Sequence, residues 1–231
     1  MPSVTLNHSL RERYLADLSA KFLPDRVWDA DAVHRSDLIY CLRKAWARYN
    51  GKAPAHPEKT MMNFLRGRIL HEMLAVGDAE HEVVDGALVL HVDDVVDGEW
   101  VEKKTTIMKY AEPPKIYEPD GSYSAWGLEM VTAAYYAPGH KVNMMVMHLM
   151  GDYGQTRSPM LSGPWEYAFT QAEVDSAHTW ITGRRDVLVT AMETGTVPGY
   201  EHRMAWECKD CPLFGTLCDA AEMGTPLPLP R

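Results

Sequence analysis

The chain has 231 residues, of which 46% are hydrophobic and 24% are charged, a composition typical of a globular protein with a substantial core. No apolar run approaches the roughly 18 residues of a membrane-spanning helix. The net charge of −9 argues against non-specific nucleic-acid binding, which needs basic residues to neutralise phosphates, although it says little about local sites. The N-terminus lacks the basic flank and apolar stretch of a secretory signal, so we expect a cytoplasmic protein with reduced thiols and no membrane contact.

Apolar residues recur at helical spacing in three segments of the N-terminal third of the chain. The first predicted helix covers 9–22. The second begins at Ser36, a favourable N-cap, runs through Cys41 and ends at about Tyr49, where an Asn-Gly pair stops it. The third predicted helix covers about 59–76.

The sequence pattern changes after the third helix. Residues 83–106 are rich in valine and contain the pair Asp97-Gly98, the strongest hairpin signal in the chain. The elements predicted after the hairpin are a proline-rich loop at 110–120, a helix at 123–136, strands at 141–149 and 165–170, a helix at 171–193 capped by Thr170, and a cysteine segment from Gly199. This order of helices and strands predicts a mixed α/β domain built on one central sheet.

The predicted hairpin brings two acidic side chains together. If Asp97-Gly98 forms a two-residue type I′ turn, Asp93 lies directly opposite Glu102. Because side chains alternate between the two faces of a strand, Asp93, Glu102 and Lys104 then project from the same face. Two carboxylates at this spacing repel each other unless a cation neutralises them.

A divalent cation would neutralise this pair, and Mg²⁺ or Mn²⁺ prefers carboxylate oxygens. Lys104 would then orient an attacking water or stabilise negative charge that develops on a phosphate. Asp94 is the competing ligand, since a turn longer by one residue would place it opposite Glu102. The alternative for the whole segment is an ordinary hairpin with a charged, solvated face.

One histidine of the third helix is a further candidate metal ligand. Gly67 lies one turn before His71, where a backbone could approach closely, and a neutral imidazole binds metal ions. A lone histidine on a helix is more often structural, so His71 alone does not define a site.

Four cysteines have a spacing typical of a metal centre. Cys208, Cys211 and Cys218 form a C-x2-C-x6-C cluster near the C-terminus, and Cys41 lies far away in the predicted second helix. Four reduced thiolates predict a metal centre that joins the two segments. A structural zinc is the alternative, although zinc sites favour a pair of cysteines on both sides; His34 and His202 would be available for a mixed site.

Taken in chain order, these motifs resemble those of RecB-like nucleases that contain an iron–sulfur cluster. The resemblance is closest to the CRISPR-associated, single-domain members and their phage-encoded relatives, and it covers about residues 36–218. The motifs are Cys41 in a Ser-x4-Cys-x-Arg segment, Gly67-x3-His71, Val92-Asp93, Glu102-x-Lys104 and the cluster Cys208, Cys211 and Cys218.

This resemblance implies the PD-(D/E)XK nuclease fold, a restriction-endonuclease-like mixed sheet flanked by helices. It implies metal-dependent hydrolysis of DNA, with exonuclease action on single strands or ends, and a role in recombination, replication or CRISPR spacer acquisition beside proteins of those pathways. By matching position, Mn²⁺ or Mg²⁺ would be bound by His71, Asp93, Glu102 and the carbonyl of Lys103, with Lys104 as the catalytic lysine. Cys41, Cys208, Cys211 and Cys218 would hold a 4Fe–4S cluster.

The sequence departs from this family at one motif. The family has a Gln-x3-Tyr helix that contacts DNA at the active site, and Tyr135 is the candidate for its tyrosine. Val131 or Thr132 occupies the glutamine position, depending on which tyrosine is matched, and core packing is the alternative role for Tyr135. The missing glutamine supports a second hypothesis, a non-catalytic DNA-binding or adaptor module of the same fold. A zinc-stapled structural protein is the third.

The predicted domain organisation follows from these motifs. Residues 1–223 are expected to form one iron–sulfur nuclease domain, with the nuclease core at 60–150. The cluster region combines the Cys41 helix with 200–219, and 224–231 are expected to form a disordered tail.

Overall fold

The computed structural model describes most of the chain after residue 26. The described residues are 27–54, 58–73, 76, 78–106, 113–148, 161–201, 203–208, 211–219 and 229–230, with scattered helical positions between 9 and 20, inside the predicted helix 9–22. Two compact units are distinguished: Met1–Val27 with Ala55–Leu74, and Trp28–Pro54 with Ala75–Arg231. The single domain over 1–223 stays a prediction. Within the described part of the chain, no helix is long and apolar enough to cross a membrane.

A mixed six-stranded sheet forms the centre of the larger unit, and the predicted α/β fold is confirmed at this level. Its strands are β1 Val33–His34, β2 Asp78–Asp85, β3 Leu88–Val96, β4 Glu99–Thr106, β5 Lys141–His148 and β6 Leu161–Ala168. Strands β4 and β5 pair in parallel, whereas β3 with β4 and β5 with β6 pair antiparallel. The strands predicted at 141–149 and 165–170 correspond to β5 and β6, and the second begins four residues earlier than expected.

Strand β3 has three neighbours, and this arrangement creates a fork in the sheet. Antiparallel β2 pairs with β3 from Leu88 to Val95 and so occupies one edge of β3 along nearly its whole length. Parallel β1 pairs with Leu88 and Val89, and β4 pairs with Asp94, Val95 and Val96. Strands β1 and β4 must therefore share the other edge of β3, one at each end. The two strands of the hairpin part where β1 begins to fill the space between them.

Five α-helices have described bounds: α1 Arg35–Ile39, α2 Leu42–Tyr49, α3 Glu58–Met73, α4 Ala125–Ala134 and α5 Gln171–Thr194. Helix α3 belongs to the smaller unit. In the larger unit, α5 packs against α1, α2 and α4, and α4 also contacts β5. Thr170 and Glu173 form the predicted N-terminal cap of α5, since the Thr170 hydroxyl accepts the Glu173 N–H and the Glu173 carboxylate accepts the Thr170 N–H.

The prediction of one continuous helix from Ser36 to Tyr49 is wrong, because the helix breaks at Tyr40 and Cys41. Cys41 has φ −58° and ψ 118° and is the N-cap residue of α2 instead of an interior residue. Buried Arg184 on α5 binds the freed carbonyls: its Nε donates to the Leu38 oxygen and its Nη2 to the Tyr40 oxygen, each at 2.5 Å. These bonds satisfy the carbonyl groups that the break leaves without helical partners. The break turns the Cys41 N–H away from the helix.

Two residues of the predicted tail at 224–231 are described. Leu229 packs against the hydrophobic core, and the Pro230 carbonyl accepts a hydrogen bond from the Tyr123 N–H at 3.2 Å. The rest of the tail lies outside the described residues.

Candidate active site and cysteine cavity

The hairpin has the register that the Asp97-Gly98 turn predicts. Both turn residues have positive φ angles, 52° and 84°, as a type I′ turn requires. The pairs Asp94–Val101, Val95–Trp100 and Val96–Glu99 face each other across the turn. Alternation along the strands therefore assigns Asp93, Glu102 and Lys104 to one face of the sheet and Asp94 to the other.

Asp93 lies at the fork where β3 and β4 part. Its Oδ2 accepts a hydrogen bond from the Lys103 N–H of β4 at 2.6 Å. The Asp93 side chain therefore takes the place of the backbone acceptor that β3 would offer in a continuous ladder. This bond fixes the carboxylate of Asp93 beside the backbone of the segment that carries Glu102 and Lys104.

Glu102 is the most deeply buried member of this face, with only 2% of its side chain exposed. Its two oxygens bind two different cations. Oε1 lies 2.7 Å from Nη2 of Arg35, and Oε2 lies 3.2 Å from Nζ of Lys104. A buried carboxylate is costly unless it is paired, and both of its oxygens are paired here.

Lys104 is held between two carboxylates. In addition to Glu102, its Nζ forms an ion pair with Glu129 on α4. Burial lowers the pKa of Lys104, but the attraction of Glu129, Glu102 and Asp93 together outweighs it and raises the pKa above its ordinary value. Lys104 therefore carries a positive charge in this site and pairs with both carboxylates.

Arg35 completes the site from the end of β1. Its Nη2 binds Glu102 and the His91 carbonyl, and its Nη1 donates to the Glu129 carbonyl at 2.9 Å. Burial lowers the pKa of Arg35, and the carboxylates Glu102 and Glu129 more than offset this, so the pKa is raised. The guanidinium thus fills the fork and joins β1, β3, β4 and α4.

Sequence reasoning missed both Arg35 and Glu129. The only signal for Arg35 was its position directly before the predicted N-cap Ser36, and no motif distinguished Glu129 from other helical acids. Glu129 lies near the expected Gln-x3-Tyr segment and reaches the site that this segment was expected to reach.

Asp94, the competing ligand, lies in a separate buried contact on the opposite face. Its Oδ2 lies 2.5 Å from Nζ of Lys103, which is equally buried, and accepts the Val76 N–H at 3.2 Å. The longer turn that would place Asp94 opposite Glu102 is not the one that forms. Lys103 therefore contributes its side chain to the face that carries Asp94, and only its backbone to the face that carries Asp93, Glu102 and Lys104.

The structure also describes two other predicted site residues, His71 and Tyr135. His71 is in the last turn of α3, in the smaller unit, and its role as a metal ligand stays a prediction. The Tyr135 ring stacks on His178 of α5, with ring centroids 4.0 Å apart and planes at 10°, and also contacts Tyr136. DNA contact by Tyr135 likewise stays a prediction.

All four cysteines line one small cavity of roughly 10 Å³. None forms a disulfide, and no two cysteine sulfurs lie within 4.5 Å. Among the described residues, no three histidine, cysteine or acidic side chains already surround a common point as single-ion ligands. Burial raises the pKa of the Cys41 thiol to about 11, so binding of a metal there would displace a proton.

Buried Glu207 joins the two cysteine segments. Its Oε1 accepts the Cys41 N–H at 3.0 Å and lies 3.1 Å from Nζ of Lys44, while its Oε2 accepts the Met204 N–H at 2.8 Å. The Cys41 N–H is the group that the break between α1 and α2 releases. One carboxylate thus bridges chain segments separated by more than 160 residues.

Arg43 reinforces the same junction. Its Nε donates to the Pro198 carbonyl at 2.6 Å, and its Nη1 donates to the Leu217 carbonyl and lies 3.9 Å from the Cys218 sulfur. Its guanidinium stacks on the Tyr200 ring at 3.4 Å. Among the described lining residues, Arg43, Lys44 and Arg203 outnumber the acid Glu207, so this part of the wall around the thiols is positively charged.

Comparison with known proteins does not assign a family. No protein-family model matches the chain, and no curated protein matches it. Among solved structures, the crystal structure of SSO0001 aligns with 94% of this chain and 98% of its own, with 15% sequence identity and a TM-score of 0.48. Function therefore rests on the geometry of the site itself.

The bridge formed by Glu207 makes a direct prediction for stability. We expect Glu207→Ala to lower the melting temperature by about 5–10 °C, because two buried N–H groups and Lys44 lose their acceptor. Thermal unfolding followed by circular dichroism measures this change. The matched control is Glu193→Ala, an exposed acid near the end of α5. Equal melting temperatures for Glu207→Ala and Glu193→Ala would contradict the bridging role.

Proposed function

We propose that the chain is a metal-dependent deoxyribonuclease of the PD-(D/E)XK type that hydrolyses phosphodiester bonds in single-stranded DNA or at DNA ends. The observation that supports it best is the arrangement of Asp93, Glu102 and Lys104 on one face of a hairpin, at the fork of a mixed sheet. Two carboxylates and a lysine on adjacent strands are the groups that metal-dependent phosphoryl chemistry needs.

The charge of this face suits a divalent cation. Asp93, Glu102 and Glu129 supply three negative charges, and Arg35 and Lys104 supply two positive charges, which leaves a net charge of −1. The oxygen ligands also match Mg²⁺ or Mn²⁺. Asp93 and Glu102 would hold the metal, and the Lys103 carbonyl is its third predicted ligand. When bound, such a cation lowers the pKa of a water molecule and polarises the phosphate.

Lys104 has the role of a fixed positive charge. Its ammonium group would donate hydrogen bonds to the attacking water or to a phosphate oxygen. Hydrolysis forms a bond from the water oxygen to phosphorus and breaks the bond from phosphorus to a sugar oxygen. The water gives up a proton, the sugar oxygen takes up a proton and leaves as a hydroxyl end, and the phosphate stays on the other fragment as a monoester. Glu129 also pairs with the lysine, and the two ion pairs together limit its rotamers.

Arg35 pairs with Glu102 in a buried position. The ion pair at 2.7 Å supplies the opposite charge that a buried carboxylate needs. Metal bound at Glu102 would share this carboxylate with the guanidinium or displace it, so Arg35 adjusts the affinity of the site without touching the phosphate.

The four cysteines would hold a structural 4Fe–4S cluster that joins the C-terminal segment to the Cys41 segment. Tetrahedral zinc places its sulfur ligands about 3.8 Å apart, given a Zn–S distance of about 2.3 Å, whereas each thiolate of a cluster binds its own iron and lies further from the others. The cysteines are not clustered, since no two of them lie within 4.5 Å, so they are not already arranged as the ligands of a single zinc ion. The support for the cluster is that all four line one positively charged cavity. An anionic cluster is also favoured by Arg43, Lys44 and Arg203.

We propose that the protein acts on DNA in the cytoplasm, with recombination or CRISPR adaptation proteins as partners.

A non-catalytic DNA-binding module is the second hypothesis. Arg35 and Lys104 together bind both oxygens of Glu102, so these cations already occupy the carboxylate that a metal would need. An assay of DNA cleavage separates the nuclease from the binding module.

Cleavage of labelled single-stranded DNA in the presence of Mn²⁺ tests the catalytic proposal. We expect Glu102→Gln and Lys104→Ala each to reduce the rate at least ~100-fold, since each removes a charged group of the reacting site. Glu102→Gln preserves side-chain size, and circular dichroism verifies its folding. The matched control is Glu99→Gln, which lies on the same strand, is exposed and projects from the other face. No cleavage by the wild type, or equal rates for all variants, would contradict the nuclease and favour the binding module.

Iron analysis tests the cluster separately from catalysis. Protein purified without oxygen is expected to be brown, to absorb broadly in the visible range and to contain about four iron atoms per chain. Replacement of Cys41 or Cys218 by serine is expected to remove most of the colour, because each cysteine binds one iron. A colourless protein with one zinc atom per chain would support the zinc alternative instead.

A further inference from the structure

We propose that Trp206 is a stacking site for one nucleobase of a single-stranded DNA that approaches the Lys104 face. This inference rests on the proposed function and adds a subsite that the nuclease motifs do not contain. It starts from an exposed ring: 59% of Trp206 is accessible to solvent, although both Glu207 beside it and nearby Met204 are buried.

Trp206 is connected to the candidate active site by a short chain of contacts. Its ring meets Tyr40 edge-to-face, with centroids 6.4 Å apart. The Tyr40 hydroxyl donates to Oε1 of Glu129 at 3.4 Å, and Glu129 forms the ion pair with Lys104. Burial and the nearby charge of Glu129 raise the pKa of Tyr40, so its hydroxyl stays protonated and this contact persists at neutral pH. Two residues, Tyr40 and Glu129, therefore connect the exposed indole to the predicted catalytic lysine.

Hydrogen bonds of the neighbouring residues anchor the backbone segment that carries Trp206. It lies in the short helical segment Ala205–Cys208, between Met204, whose N–H binds Glu207, and Glu207 itself. Glu207 is fixed in turn by the Cys41 N–H. An exposed aromatic ring on a rigid support loses little conformational entropy when a ligand stacks on it, which favours binding.

The surroundings of the ring suit a base better than a protein surface. A stable protein interface needs a broad apolar core, whereas the described contact of the Trp206 ring is with one aromatic side chain, Tyr40. Lys44 is one-third exposed and binds the carboxylate of Glu207, the residue that follows Trp206 in the chain, so it offers a phosphate a cation on the segment that carries the ring. A π-face beside a cation is the arrangement by which proteins bind single strands without sequence preference.

Binding measured without cleavage tests this site. Fluorescence anisotropy with labelled oligothymidine of about 15 nucleotides, in EDTA, gives Kd for the wild type, Trp206→Ala and Trp206→Phe. Loss of one stacked base is expected to weaken binding by Trp206→Ala about 5- to 100-fold, while Trp206→Phe retains most of the affinity. The matched control is Tyr117→Ala, an exposed ring on another part of the surface.

An abasic oligonucleotide of the same length separates stacking from other effects. The wild type and Trp206→Ala are expected to bind the abasic oligonucleotide equally, because it offers the indole no base to stack on. Equal binding of ordinary DNA by the two proteins would overturn the proposal, and so would an equal loss on abasic DNA. If Trp206→Ala does not fold, ultraviolet cross-linking of the wild type to 5-iodouracil DNA replaces it. An adduct on Trp206 supports the site, and adducts found only elsewhere overturn it.

The binding experiment on Trp206 and the cleavage experiment on the nuclease can fail independently. A wild type that does not cleave DNA, yet binds it in a Trp206-dependent manner, would overturn the nuclease and leave the stacking site standing. Normal cleavage and binding by Trp206→Ala would overturn the stacking site alone.

Discussion

The burial of Glu102 is the constraint on which the rest of the site depends. A carboxylate in this position is tolerated only with cations at both oxygens, and removing one partner of such a pair costs about 3–5 kcal/mol. Arg35 and Lys104 supply the cations, and each needs a second anchor. The fork between β3 and β4 provides room for Arg35, and α4 provides Glu129 for Lys104. The site is therefore a consequence of how β1 and β4 share one edge of β3.

The break between α1 and α2 connects this network to the cysteine cavity. Tyr40 contacts Glu129 on one side and Trp206 on the other, and the next residue, Cys41, faces the cavity. Arg184 stabilises the break from α5, and Glu207 uses the N–H that the break exposes. Tyr40 and Glu129 thus form a path of two side chains between Trp206, on the cysteine segment, and Lys104. This path connects the proposed cluster to the proposed catalytic face.

The sequence predicted what depends on local periodicity. The turn at Asp97-Gly98 determined the hairpin register, and alternation then separated Asp93 from Asp94 correctly. Spacing also grouped the four cysteines that line one cavity. Arg35, Glu129 and Glu207 were not predictable, because their partners lie 67 or more residues away along the chain or on another element. The helix break at Cys41 was missed for the same reason, since local propensity favours a continuous helix and a buried arginine from α5 reverses that preference.

Anomalous diffraction from crystals soaked in Mn²⁺ tests the central claim most directly, namely that the Glu102 face is a divalent-metal site. The account predicts a manganese peak bound by Asp93 and Glu102 on the Lys104 side of the sheet, with Arg35 shifted on the Glu102 carboxylate. A crystal with no manganese at these carboxylates, and with Arg35 still bound to Glu102, would contradict it.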